Sequence, residues 1–194
     1  MRAKYLIVGF IIAIYAGCVS VDIKTEIPEI TFYDISMHTQ KILKNPKQSY
    51  GTIISAAMPY DSTDIYKLDS QTLRTRILPN AQWVSKPKEM LISTLGAMMS
   101  ERRLSLIKPP FGSVKVSKII KLHIDKILII QREGGEYATL SMHYDLLNAK
   151  DASLIKNGVI VREKEISNMH EFAPVFLELS QEVLSEIIEQ ILLF

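Results

Sequence analysis

The pattern of hydrophobic residues begins with a short apolar run at the amino terminus. Residues 5–17 are uncharged and mostly apolar, a run of about 13 residues that follows Arg2 and Lys4. A membrane-spanning helix needs roughly 20 apolar residues. A shorter run after positive charges is typical of the core of a secretory signal. We therefore predict a signal peptide over residues 1–17.

Beyond residue 26, alternation of apolar and polar residues predicts a series of strands. The alternating segments are residues 30–36, 50–58, 64–68, 73–78, 114–131, 137–147 and 154–165. Gly134-Gly135 is the predicted tip of a hairpin between residues 114–131 and residues 137–147. In its second strand the inward side chains are predicted to be Ala138, Leu140, Met142, Tyr144 and Leu146.

Two segments with apolar residues every three to four positions predict helices. Ser85 is the predicted cap of the first, and Pro87 lies in its first turn, where a missing amide hydrogen costs nothing. Asn168 is the predicted cap of the second, with Glu171 three residues on as in a capping box. The predicted buried positions are Leu91, Leu95, Met98, Met99 and Leu104 in the first helix, and Phe172, Phe176, Leu179, Val183, Ile187, Ile188 and Ile191 in the second.

The order of these elements predicts the α+β class. We expect a mixed, mostly antiparallel sheet with two amphipathic helices packed on one face. Residues 27–194 are enough for a single domain with an adequate core. Residues 18–26 are polar and without periodicity, which indicates a short tether between the signal peptide and that domain.

Charge and motifs exclude several classes of function. The 23 basic and 21 acidic residues become 21 and 21 once Arg2 and Lys4 leave with the signal peptide. A neutral surface with interleaved charges argues against a nucleic-acid partner, which needs a basic face. The chain has no G-x-S-x-G, phosphate-loop or H-E-x-x-H motif. We therefore predict no catalytic residue, no cofactor and no enzymatic activity.

None of the four histidines has the spacing of metal ligands; they are His38, His123, His143 and His170. With the hairpin tip at Gly134-Gly135, His123 would lie opposite about position 146 and not opposite His143. We therefore predict no metal site and interpret the histidines as solvated residues of strand faces.

Cys18 is the only cysteine, and it directly follows the small residues Ala16 and Gly17. This arrangement resembles the bacterial lipobox, whose usual form is Leu, a small residue, Gly or Ala, and then Cys. Tyr15 stands in the Leu position. The resemblance implies that acyl chains on Cys18 anchor the mature chain to a membrane. The alternative is an ordinary signal peptide whose cleavage leaves a free thiol in an oxidising compartment.

The stretch around Trp83, LPNAQWVSKPKEMLISTLGAMMSERR, resembles the hallmark segment of the ABC-type transport auxiliary lipoproteins (the PqiC-like family). That segment has an aromatic-centred R-W-A-E-P-L followed by a helix with L-x-x-x-L. The residues that match are Trp83, Pro87, Leu91 and Leu95, while Gln82 replaces the Arg and residues 85–86 replace Ala-Glu. TFYDIS is similar to the family's first strand, and YATLSMHYDLLNAKDASLIKNG resembles its central hairpin. The likeness therefore runs in order over nearly all of the mature chain.

The resemblance implies a periplasm-facing lipoprotein that assists lipid transport between the inner and outer membranes. Its partners would be an MCE-domain protein and ABC transporter subunits, and a homo-oligomer is compatible with that role. Lipoproteins of this kind are commonly kept in the inner membrane by Asp after the acylated cysteine. Val19 stands there instead, so we expect the outer membrane. The alternative is a structural or assembly lipoprotein of the envelope without a link to lipid transport.

Three residues are candidates for an interaction surface. Trp83 is either an aromatic anchor of an interface or a core residue between the first helix and the sheet. Leu193 and Phe194 crowd the end of the chain, where the second helix can no longer bury every side. The alternative for the chain end, and for Leu192 in particular, is that it completes the buried stripe of that helix.

Overall fold

A computed structural model of the chain describes residues 28–38, 45–112, 114–168 and 171–194. The predicted signal peptide, the predicted tether and the lipid-attachment residue Cys18 lie outside the described residues. No helix among the described residues is long and apolar enough to cross a membrane.

Eight strands and two helices make up the described chain. The strands are β1 (Thr31–Tyr33), β2 (Gln48–Ala56), β3 (Asp64–Asp69), β4 (Arg74–Trp83), β5 (Leu104–Ile107), β6 (Lys118–Arg132), β7 (Gly135–Asn148) and β8 (Leu154–Ile166). The helices are α1 (Pro87–Glu101), between β4 and β5, and α2 (Phe172–Leu192), at the end of the chain. The α+β class is confirmed.

Strand β6 organises the sheet because it has different neighbours along its two halves. On one side it pairs with β7, which pairs with β8, and both pairings are antiparallel. On its other side, residues 118–124 pair with β2, which pairs with β5, while residues 129–131 pair with β3, followed by β4 and β1. Four of the seven strand pairs are parallel, so the mixed sheet is confirmed but the mostly antiparallel one is not.

Both helices pack on the same face of the sheet. Their apolar residues share one buried cluster with alternate residues of β6 and β7. The inward residues predicted for β7 are all buried there, and so is every predicted stripe residue of α2. We call this the helix-covered face and the opposite one the open face. Lys121 and His123 lie on the open face, which partly contacts solvent.

The first helix ends earlier than its apolar spacing predicts. Arg103 takes a left-handed backbone conformation (φ +62°) just after the helix, and the chain turns there into β5. Leu104, predicted to be the last buried residue of the helix, is buried as the first residue of that strand. The start also differs, because Lys86 occupies the cap position without a side-chain hydrogen bond, and Ser85 is not the cap.

The register of the β6–β7 hairpin differs from the predicted one. Arg132 pairs with Gly135, so the tip lies at residues 133–134, and a bulge between Ile124 and Lys126 removes one further position. Together these shifts amount to three residues. His123 therefore lies directly opposite His143 and not opposite position 146. The geometric reason for predicting no metal site was wrong.

Candidate interaction surface

Trp83 lies in the core of the domain. Its side chain is 1% exposed, because the last residue of β4 points to the helix-covered face against the start of α2. The indole stacks on Phe172 at 5.4 Å and meets Phe176 edge-on at 5.4 Å. Tyr33 of β1 meets Phe172 at 4.8 Å. Of the two interpretations of Trp83, the structure shows the core residue, and Trp83 presents no surface on this chain to a partner.

This aromatic cluster (Tyr33, Trp83, Phe172 and Phe176) joins β1, β4 and α2, which are far apart in sequence. Aromatic pairs at such distances, stacked or edge-to-face, stabilise beyond the area they bury. The Oδ1 atom of Asn168 accepts the amide hydrogen of Glu171 at 3.2 Å, the contact that the capping pattern predicts. The helix itself begins at Phe172 with Glu171 in the cap position, so the prediction of Asn168 as the cap was wrong. The cluster therefore fixes where α2 starts against the sheet.

The carboxyl end of α2, unlike its start, presents apolar side chains to solvent. The buried stripe of the helix ends at Ile191, and the three residues that follow it are exposed. Leu193 is 75% exposed and Phe194 56% exposed. We call Leu192, Leu193 and Phe194 the C-terminal patch. The prediction that Leu193 and Phe194 reach the surface is confirmed, whereas the alternative that they complete the buried stripe is not.

Two lysines hold the C-terminal patch against the sheet. Lys118 Nζ of β6 donates to the carbonyl oxygen of Phe194 at 2.7 Å. Lys156 Nζ of β8 lies 5.7 Å from the centroid of the Phe194 ring, a cation–π distance. The patch is therefore apolar at its centre with cationic side chains beside it. An apolar centre with a polar rim is the arrangement of protein–protein interfaces.

A cleft of about 330 Å³ opens between β2 and the first turns of α1. Thr52, Ile54 and Ile92 are among its lining residues, with Lys88 at its side. Lys88 Nζ lies 2.8 and 3.0 Å from the two carboxylate oxygens of Asp61. The hydrogen bond from Lys88 lowers the pKa of Asp61, and the charge of Lys86 adds to the effect. This ion pair ties the loop before β3 to α1, so Lys88 already has a partner.

Few groups in the described part of the chain are of the kinds that active sites use, namely metal-ligand clusters, side chains with shifted pKa values and buried charges. No group of three or more His, Cys, Asp or Glu side chains there could hold a metal ion. Burial raises the pKa of the Tyr50 and Tyr144 hydroxyls. Lys67 is buried and pairs with Glu136 at the end of the sheet. Each of these groups is accounted for by packing or by one ion pair.

Comparison with known proteins defines the class of fold. No protein-family model and no curated protein matches the sequence. The crystal structure of protein XCC0632 from Xanthomonas campestris, of the DUF330 family, matches with a TM-score of 0.67 and 15% identity, over 81% of this chain and 92% of that chain. A crystal structure of an uncharacterized protein matches with a TM-score of 0.64 and 15% identity, over 84% of this chain and 99% of that chain.

These similarities establish that the chain has the fold of the two solved structures, and at 15% identity they establish the fold alone. Lipoprotein GNA1162 from Neisseria meningitidis has a TM-score of 0.39 and 10% identity, over 76% of this chain and 99% of that chain. That similarity is too low to support an inference about this chain.

Proposed function

We propose that this chain is a lipid-anchored, periplasm-facing lipoprotein that serves an ABC/MCE-type lipid transport system. In this role it docks the end of the lipid conduit at the outer membrane. The family resemblance around Trp83 and the lipobox-like residues before Cys18 support the role. The proposal describes a binding protein and not an enzyme, because its function lies in the surface that it presents.

The observation that carries the docking role is the C-terminal patch. Leu193 and Phe194 are large apolar side chains that lie next to one another and are exposed. They follow directly on the buried apolar stripe of α2, which ends at Ile191. Single exposed apolar residues are normal on protein surfaces, but adjacent ones with a polar surround mark interaction sites. Lys118 and Lys156 hold the patch in place, so a partner would meet a surface that is already ordered.

Membrane attachment through Cys18 is the second part of the proposal. Each buried methylene contributes about 0.8 kcal/mol, so one acyl chain binds marginally whereas two or three bind firmly. Cys18→Ser should leave an unprocessed precursor without lipid label. A variant chain that still fractionates with membranes after signal cleavage would rule out the anchor. Recovery of the wild-type chain with inner-membrane markers would contradict the expected outer-membrane location.

Co-purification tests the docking role. Replacing Leu193 and Phe194 together with Ser should sharply reduce recovery of the MCE-domain protein with this chain. The matched control is Val159→Ser with Val161→Ser, because these β8 side chains are 61% and 50% exposed but lie on the open face. The control should retain the partner at the wild-type level.

Two results would count against the proposal. If the wild-type chain recovers envelope-assembly components and no MCE-domain protein, the alternative of a structural or assembly lipoprotein is the better description. If both pairs of substitutions retain the MCE-domain protein equally, docking occurs on another surface. The second result would reject the C-terminal patch while leaving the transport role in place.

A further inference from the structure

The corrected hairpin register places two histidines face to face at the centre of the open face. His123 of β6 pairs with His143 of β7, and the same row continues to Ser55 of β2 and Val159 of β8. Directly opposed residues in antiparallel strands have Cβ atoms about 4.5–5.5 Å apart. Two imidazole rings therefore extend side by side from neighbouring strands towards solvent.

Ser55 is the hydrogen-bond partner of one ring nitrogen of His123. Ser55 Oγ lies 2.8 Å from His123 Nδ1. Ser55 Oγ can also donate to the carbonyl oxygen of Leu122 at 3.4 Å; in the tautomer with hydrogen on Nδ1, the Ser55 oxygen accepts that hydrogen. A neutral imidazole that donates through one nitrogen has its lone pair on the other. In that tautomer His123 Nε2 is the nitrogen available to bind a metal ion.

His143 also has an oxygen atom beside one ring nitrogen, but here the nitrogen is Nε2 and the oxygen belongs to Asp145. Asp145 Oδ1 lies 3.4 Å from His143 Nε2. A carboxylate can only accept, so a neutral His143 that is oriented by this contact has its hydrogen on Nε2 and its lone pair on Nδ1. Metal-binding histidines characteristically donate their second ring N–H to a carboxylate or another oxygen, which fixes the tautomer and the ring orientation. Each histidine of the pair has an oxygen atom beside one ring nitrogen that can take this part.

We propose that His123 Nε2 and His143 Nδ1 together bind one divalent ion of a late first-row transition metal. Imidazole suits copper, zinc and nickel, and the general order of affinity places Cu²⁺ above Zn²⁺. A nitrogen ligand lies about 2.0–2.1 Å from a bound zinc. No third protein ligand joins the pair among the described residues, so water completes the coordination on the solvent side. This site is independent of the proposed docking role.

Titration of the purified full chain with CuCl₂ and, separately, with ZnCl₂ tests the site. We expect one ion per chain at the pair, tighter binding of Cu²⁺ than of Zn²⁺, and two nitrogen couplings in the electron paramagnetic resonance spectrum of the copper complex. His123→Gln and His143→Gln should each weaken Cu²⁺ binding at least about tenfold. Ser55→Ala, which removes only the orienting partner, should weaken it by about 10-fold to 100-fold.

His38→Gln is the matched control. His38 is also exposed, but hydroxyl oxygens face both of its ring nitrogens, Ser36 Oγ at 3.1 Å and Ser93 Oγ at 3.0 Å. Its replacement should leave Cu²⁺ affinity unchanged. Absence of stoichiometric binding by the wild-type chain would overturn the proposal. So would copper binding that survives the His123 and His143 variants, or a copper spectrum with a single nitrogen coupling.

Discussion

The two ends of α2 present large apolar side chains to different surroundings. At its start, Phe172 and Phe176 pack with Trp83 in a closed aromatic cluster. At its end, Leu193 and Phe194 have no such partners and stay exposed. Residue type alone does not separate these regions, because both are rich in aromatic and aliphatic side chains. What separates them is that β1 and β4 bring apolar partners to the first region.

The largest effect should come from opening the aromatic cluster. Trp83→Ala removes a fully buried indole that contacts two phenylalanine rings, and large-to-small substitutions of this kind cost about 3–5 kcal/mol of unfolding free energy. Denaturant-induced unfolding measures the loss. A loss below about 1 kcal/mol would contradict the packing of Trp83, since surface substitutions away from special features usually fall in that range.

Gly158→Ala examines the sheet surface beneath the middle of α2. A Cβ atom on Gly158 would lie 2.7 Å from Cε1 of the buried Tyr144 ring, so the ring must shift. Overpacking of this kind costs about 1–3 kcal/mol. Gly96→Ala in α1 is the control, because its Cβ would lie 4.0 Å from the nearest atom, on Leu106. In a helix that change should stabilise by about 0.5–1 kcal/mol. Equal effects of the two variants would be inconsistent with the close approach at Gly158.

Replacing Leu193 and Phe194 with Ser should hardly change the unfolding free energy. Substitutions of exposed residues usually change the unfolding free energy by no more than about 0.5 kcal/mol each. The expected change is therefore much smaller than that of the Trp83 variant, which alters the cluster at the other end of α2. Thermal melting and denaturant titration on the same samples check this. A loss of several kcal/mol would mean that the chain end contributes to the core, and the comparison between the two ends of α2 would fail.

The smallest effect concerns pH and the loop that Asp61 ties to α1. The pKa of this carboxyl is lowered, chiefly by the hydrogen bond from Lys88. A lowered pKa contributes stability above the ordinary unfolded value of about 3.9, and that contribution is lost as pH falls through the folded value. Asp61→Asn should therefore be less stable than wild type at pH 7, with the difference shrinking in acid. A difference in stability that stays constant with pH would contradict this assignment.

Long periodic segments were predictable from the sequence alone. The inward residues of β7 and the buried stripe of α2 follow directly from periods of two and of three to four residues, and these periods depend only on local geometry. The α+β class followed from the same segments. The exposure of Leu193 and Phe194 followed from their position beyond the last turn that could be covered.

Features that depend on distant contacts or single residues were not predictable. Strand β5 has only four residues and follows a helix that ends at Glu101. The left-handed residue at the turn is Arg103, so no glycine marks it. The parallel pairing of β2 with β6 joins segments separated by three strands and a helix. The bulge after Ile124 has no signal in the spacing, yet it decides that His123 faces His143. The surroundings of Trp83 likewise come from β1 and α2, which local spacing does not bring together.

Photo-crosslinking from the C-terminal patch tests the docking claim most directly. A photoreactive amino acid in place of Leu193 should crosslink the chain to an MCE-domain protein in intact cells, identified by mass spectrometry. The same amino acid in place of Val159, an exposed side chain on the open face, should not. Crosslinks to the MCE-domain protein from position 159 alone, or from neither position in chains correctly localised to the membrane, would contradict docking through the C-terminal patch.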